Sequence, residues 1–307
     1  MIYPSRILLA PFVMIIAYIG YQLYEGYSHY LPYLVIAGIP AIVLYFLGNE
    51  IDWWWWTKYP PKLAPAFINI LRNHVPFYAG LSANEKKRFQ DRVALFLKGN
   101  EFMPMAELAM GLEEGEIGYT GKSSDEIPKG TMPADIMLII AATCVQMTFG
   151  LKKFLLNKFD HIIVYPRPFP TPQHPKHFHL CETFKEDKVI MFASEPLLHY
   201  YTSKQKAYSI GHHEYGNAFE KNYPKINWPD MGKDIWNNIE KISGYGSDKI
   251  HNYINLPMIS ARPVSISLFF THPNEFRSVL PNLYKGYTKI FNQDPTDAHS
   301  PVLGELI

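Results

Sequence analysis

The chain has 307 residues, enough for one large domain or two small ones with an ample core. Its 29 basic and 28 acidic side chains nearly cancel, which removes the electrostatic case for nucleic acid as a partner. Cys144 and Cys181 lie far apart with no C-x-x-C spacing, so a reduced cytosolic compartment is expected rather than a disulfide.

Apolar residues make up 48% of the chain and crowd its N-terminus. ILLAPFVMIIAYIGYQLY (7–24) and LPYLVIAGIPAIVLYFLG (31–48) carry no Asp, Glu, Lys or Arg. Each is just long enough to cross a hydrocarbon core of about 30 Å. A cleaved signal peptide would have a shorter apolar run, a small-residue cleavage site and no second run. A pair of buried core helices is the disfavoured alternative, since both runs are apolar on every face. Residues 1–50 are therefore expected to form a two-helix transmembrane hairpin. Arg6 precedes the first run, EGYSHY between them lacks Lys and Arg, and Lys58, Lys62 and Arg72 follow the second. The excess of basic residues on one side puts both termini and the main domain in the cytoplasm, with two membrane spans. DWWWWTKYPPK, within a linker over 51–74, reads as an interfacial belt of indole rings beside lysines. Pro40 inside the second run suggests a kink packed against protein, hence a membrane-protein complex as partner.

LSANEKKRFQDRVALFLKGN is a helix signal. Ser82 and Glu85 form a capping box, Phe89, Val93, Phe96 and Leu97 an apolar stripe, and Gly99 a stop. Residues 111–130, rich in Gly and acid, read as a mobile loop. DIMLIIAATCVQMTFG (135–150) is too short for a span and reads as a core helix. HIIVYPRPF (161–169) and KVIMFAS (188–194) read as buried strands. Between them His174, His177 and His179 have the spacing H-x-x-H-x-H, which fits no usual zinc pattern. Their Pro-rich surroundings predict a solvated hairpin tip. QKAYSIGHHEYGNAFEKN (205–222) predicts a helix, residues from 247 onward a loop and an apolar helix, and 297–307 a tail.

GHHEYGN in that helix stops one letter short of H-E-x-x-H. Histidines at i and i+4 share a helical face and can hold zinc, while the glutamate serves as general base on zinc-bound water. Here the register gives His213 and Glu214 but Asn217, whose amide oxygen is a poor zinc donor. His212 points about 100° around the helix from His213. Taken alone, His213 and Glu214 read more simply as a satisfied buried pair.

The neighbouring motifs carry a resemblance. GLSANEKKRF, IIVYPRPF and LFFTHPNEF…PNLYKGYTKIFNQDP are similar, in order and spacing, to motifs of the Mlc titration factor A family of zinc-dependent peptidases. Its core is shared with the anthrax lethal factor catalytic domain. The likeness runs over about 75–296 and implies an α+β, zincin-like metalloprotease domain there. It places the first zinc histidine at His213 and the general base at Glu214. The second histidine falls on Asn217, the family's tyrosine on Tyr253 and the third ligand, a glutamate, on Ser260. Two of three protein ligands are thus replaced, and the resemblance implies a degenerate, membrane-anchored member with no cofactor. Binding of a protein partner in the cleft replaces catalysis in this reading. The alternative is an active zinc peptidase that recruits His174, His177, His179 or His212.

Overall fold

A computed structural model describes residues 3–105, 132–203, 206–297 and 303–306. The chain divides into two compact units, residues 1–61 and 62–307.

In the first unit, α1 (Pro4–Tyr24) and α2 (Leu31–Phe46) are joined by a helical turn at Ser28–Tyr30 and pack against each other. At 1.5 Å per residue the 21 residues of α1 extend about 31 Å. By length and composition both helical segments can cross a membrane. Their large side chains face outward, Met14 and Ile36 among them, and few residues of either are buried. A third helix, α3 (Gly48–Lys58), carries the four tryptophans. The N-terminus of α1 has Pro4 in its first turn and no side-chain cap of its own. Asp52 of α3 supplies one, its carboxylate accepting from Ser5 N at 2.9 Å and Ser5 Oγ at 2.8 Å. A buried carboxylate there satisfies an orphan N–H and meets the positive end of the helix dipole. The segment read as a Trp-rich interfacial linker is mostly helical.

The second unit begins with α4 (Pro65–His74), α5 (Pro76–Gly80) and α6 (Ala83–Gly99). Leu71 of α4 is fully buried, so part of the expected linker belongs to this core. The capping box opens α6 as expected: Glu85 N donates to Ser82 Oγ, and Ser82 N donates back to Glu85 Oε2 at 3.1 Å. Then come β1 (Glu101–Pro104) and α7 (Ala134–Met147). The expected loop at 111–130 lies outside the described residues. α7 is buried along nearly its whole length, as a core helix should be. Arg92 of α6 caps the segment after it, donating to Thr148 O, Phe149 O and Leu151 O. Burial, and then the charge of Arg88, lowers the Arg92 guanidinium to about 10.

Next are β2 (His161–Tyr165), β3 (Phe169–Thr171), β4 (His174–His179), β5 (Cys181–Phe184) and β6 (Val189–Ala193). The main sheet has the order β1-β2-β6-β5, with β5 antiparallel at one edge and the other neighbours parallel. β3 and β4 form a separate antiparallel pair. Pro166 and Pro168 fall between β2 and β3, where missing N–H groups break a ladder, so the strand is ended by its prolines as expected and Phe169 begins a second one. The histidine segment departs from expectation in part. It is a strand of an antiparallel pair with residues 175–178 exposed, but His179 is fully buried.

Helices α8 (Ser194–Thr202), α9 (Ile210–Asn222), α10 (Ile235–Ser243), α11 (Ser247–Ile254), α12 (Ala261–Thr271), α13 (Pro273–Val279) and α14 (Pro281–Phe291) complete the unit. The motif helix α9 lies against α12, close enough that a Cβ at Gly216 would come within 3.2 Å of Ile266. Phe219, Phe269, Tyr287 and Phe291 fill the space between α9, α12 and α14. The described part of the tail is tied down, Gly304 N donating to Gly150 O and Lys152 N to Gly304 O, both at 2.9 Å. Gly150 is required there, because a Cβ would lie 2.1 Å from Asn292 O.

Candidate functional site

Ser209 begins α9 as its N-cap, accepting from His212 N. That fixes the helical phase, so residues 213, 214, 217 and 221 line one wall of a cavity of about 600 Å³. The edge strand β5 supplies Glu182 and Thr183, β4 supplies His174, and the segment 256–260 with Trp236 closes the other side. His213, Glu214, Asn217 and Ser260 therefore meet at one cavity.

Each of them has a bonded duty. His213 is nearly buried, and its Nδ1 lies 2.8 Å from the Tyr208 hydroxyl. Burial lowers its pKa from the ordinary histidine value, against the opposing pull of Glu214. Glu214 is 1% exposed. Its Oε1 accepts from Thr183 Oγ1 and, at 2.8 Å, from Asn217 Nδ2. Asn217 thus faces the motif glutamate as a donor. Ser260 is the N-cap of α12, its Oγ accepting from Arg262 N at 3.4 Å. Tyr253 is half-buried with its ring edge-on to Tyr208, and it does not line the cavity. Burial first, then Tyr245 and Cys181, raises its hydroxyl pKa.

Zinc, implied by the likeness to the peptidases, does not fit these donors. His213 offers a nitrogen, but the amide of Asn217 is engaged with Glu214 and Ser260 caps a helix. The other histidines do not repair the set. His212 is buried away from the cavity, with Nδ1 2.7 Å from Ser209 Oγ and its ring stacked near Phe270. Desolvation depresses it to about 3. His177 is exposed on β4. His174 and His179 flank one carboxylate on different oxygens: His174 Nε2 is 3.4 Å from Glu182 Oε1, and His179 Nε2 is 2.9 Å from Oε2. The second contact has the distance of an ion pair without the angle of a hydrogen bond. Among the described residues no group of three His, Cys, Asp or Glu is placed to hold a metal ion.

Glu182 was not legible as a site residue, being an ordinary glutamate in a strand. It joins the β3–β4 pair to the edge strand, because Thr171 Oγ1 also donates to it at 2.8 Å. Burial alone would raise its pKa, but the close His179 contact, the bond from Thr171 and the charges of His179 and His174 lower it on balance. Lys221 could have been found by counting i+4 and i+7 from Asn217 and Glu214. Its Nζ donates to Thr183 O at 2.8 Å, so the one Lys or Arg among the described lining residues is already engaged. Cys181 is a free, fully buried thiol, raised first by burial and then by the charge of Glu214 and a bond to it.

No protein-family model matches the chain. A protein of Synechocystis sp. (strain ATCC 27184 / PCC 6803 / Kazusa) described as "Uncharacterized protein slr2042" is 25% identical over 142 residues. The match covers 46% of this chain and 44% of that protein, so the chain spans less than half of the relative it matches.

Proposed function

We propose that the protein is a membrane-anchored, catalytically inactive relative of the Mlc titration factor A peptidases. Its zincin-like domain acts as a binding, regulatory or structural subunit of a complex in the bacterial cytoplasmic membrane. α1 and α2 are the transmembrane hairpin, and both termini and the domain lie in the cytoplasm. The hairpin recruits membrane-protein partners, and the cleft receives a protein segment rather than a scissile substrate.

One observation carries this reading: Asn217, at the position of the second zinc histidine, donates its amide to Glu214. A general base in this chemistry works on metal-bound water within hydrogen-bond reach. Here the motif glutamate is instead pinned by two donors from the protein, Thr183 and Asn217.

The test uses full-length protein extracted in mild detergent. It is expected to hydrolyse no aminopeptidase substrate and to retain its membrane partners, which are lost when residues 1–58 are removed. Zinc-dependent hydrolysis abolished by Glu214→Gln would overturn the reading in favour of an active peptidase.

A further inference from the structure

The cavity is more specific than a generic cleft, on three grounds. Its floor holds a buried carboxylate bonded to neutral groups. Glu214 is 1% exposed, with Thr183 and Asn217 both donating to Oε1 and the Cys181 thiol as a further, weak partner. His213 is 4% exposed and bonded through Nδ1, while Nε2 has no hydrogen-bond partner among the described residues. A buried carboxylate held by neutral donors favours a cationic one.

The charge balance agrees. Glu182 and Glu214 line the space, and the one lysine there has its ammonium on Thr183 O. Beside them stand the indole of Trp236 and the apolar stretch from Leu256 to Ile259. An aromatic face beside a carboxylate suits the stem and head of a long basic side chain.

The surface around the mouth supplies the third ground. Among the described residues of 62–307, the large apolar side chains left exposed are Phe178 at 45% and Met258 at 87%. Both belong to segments at the cavity, β4 and residues 255–260. Asn255 Nδ2 joins those segments by donating to Phe178 O at 3.0 Å. Exposed apolar groups gathered at a polar pocket mark an interaction surface.

We infer that the cleft binds a lysine or arginine side chain of a partner protein, flanked by apolar residues that rest on Phe178 and Met258. The cationic head takes its place against Glu214 and Glu182, where the peptidases would hold a metal ion. This rests on the reading of the cleft as a zinc-free binding site.

Blocked tripeptides test it on the full-length protein in detergent: acetyl-Leu-Arg-Leu-amide, its citrulline counterpart of nearly equal shape, and acetyl-Leu-Glu-Leu-amide. The arginine peptide is expected to bind about tenfold more tightly than the citrulline one and to weaken in high salt. Glu182→Gln should remove most of that preference. Ser260→Lys, at an exposed lip position where only the α12 cap is given up, should remove it as well. Met258→Ser should weaken the arginine and citrulline peptides alike. Equal affinity for arginine and citrulline, tighter binding of the glutamate peptide, or no binding of any of them would overturn the inference. Those outcomes in zinc-free protein leave the broader reading standing, whereas stoichiometric zinc removes that reading first.

Discussion

Asn217 has a neighbour to serve, and this sets what its replacement costs. In Asn217→Ala, Glu214 loses one of its two N–H or O–H donors in a buried position. A loss of about 1–2 kcal/mol of stability is expected, measured by denaturant unfolding. Asn217→His together with Ser260→Glu would place the ligand types of the peptidases it resembles at positions that line one cavity. Crowding should cost about 1–3 kcal/mol, and zinc binding should return more through linkage. Zinc-dependent thermal stability is expected in the double variant and much less in either single one. A folded double variant without zinc affinity would show that Ser260 does not occupy the ligand position. His212 gives a pH signature. Its folded pKa is depressed to about 3, so the unfolded chain binds the proton first. Its contribution is whole above the ordinary histidine range and falls with pH toward 3, at about 1.4 kcal/mol per pH unit. His213, lowered by the same burial, adds in the same direction. His212→Gln should flatten the slope of stability between pH 4 and 6, and an unchanged slope would contradict the assignment. At this scale the sequence exposed the His213–Glu214 pair and its missing partners through fixed helical spacing. It could not reveal Glu182 or Trp236, whose roles depend on which strand and helix face the cavity.

Local chemistry made some elements readable and left others hidden. The capping box of α6 is written in two residues, and Ser82→Ala should cost about 1 kcal/mol in stability. Proline positions told where β2 ends, but the strand identity of 174–179 was lost in a segment dense with His and Pro. Its pairing with β3 and its contacts to Glu182 are tertiary, and no short-range signal carries them. Packing of α9 on α12 is likewise invisible until both helices are placed. Gly216→Ala puts a methyl within 3.2 Å of Ile266 and 3.4 Å of Pro263 O. About 1–3 kcal/mol of destabilisation is expected by calorimetry, and an unaffected variant would mean that α12 gives way freely.

For the whole molecule, composition set a hairpin over 1–50 apart from a linker over 51–74, and the division into units at residue 61 falls inside that linker. The polarity of insertion rests on few charges, Arg6 against Lys58, Lys62 and Arg72. A reporter active only outside the cytoplasm, fused after residue 60, should therefore give no signal. A strong signal would reverse the topology and remove the reducing compartment assigned to Cys144 and Cys181. The central claim is that a peptidase-like cleft here works without its metal, and zinc content tests it most directly. Full-length protein purified without chelators should carry well under one zinc per chain. Near-stoichiometric zinc that disappears in His213→Ala would contradict the account.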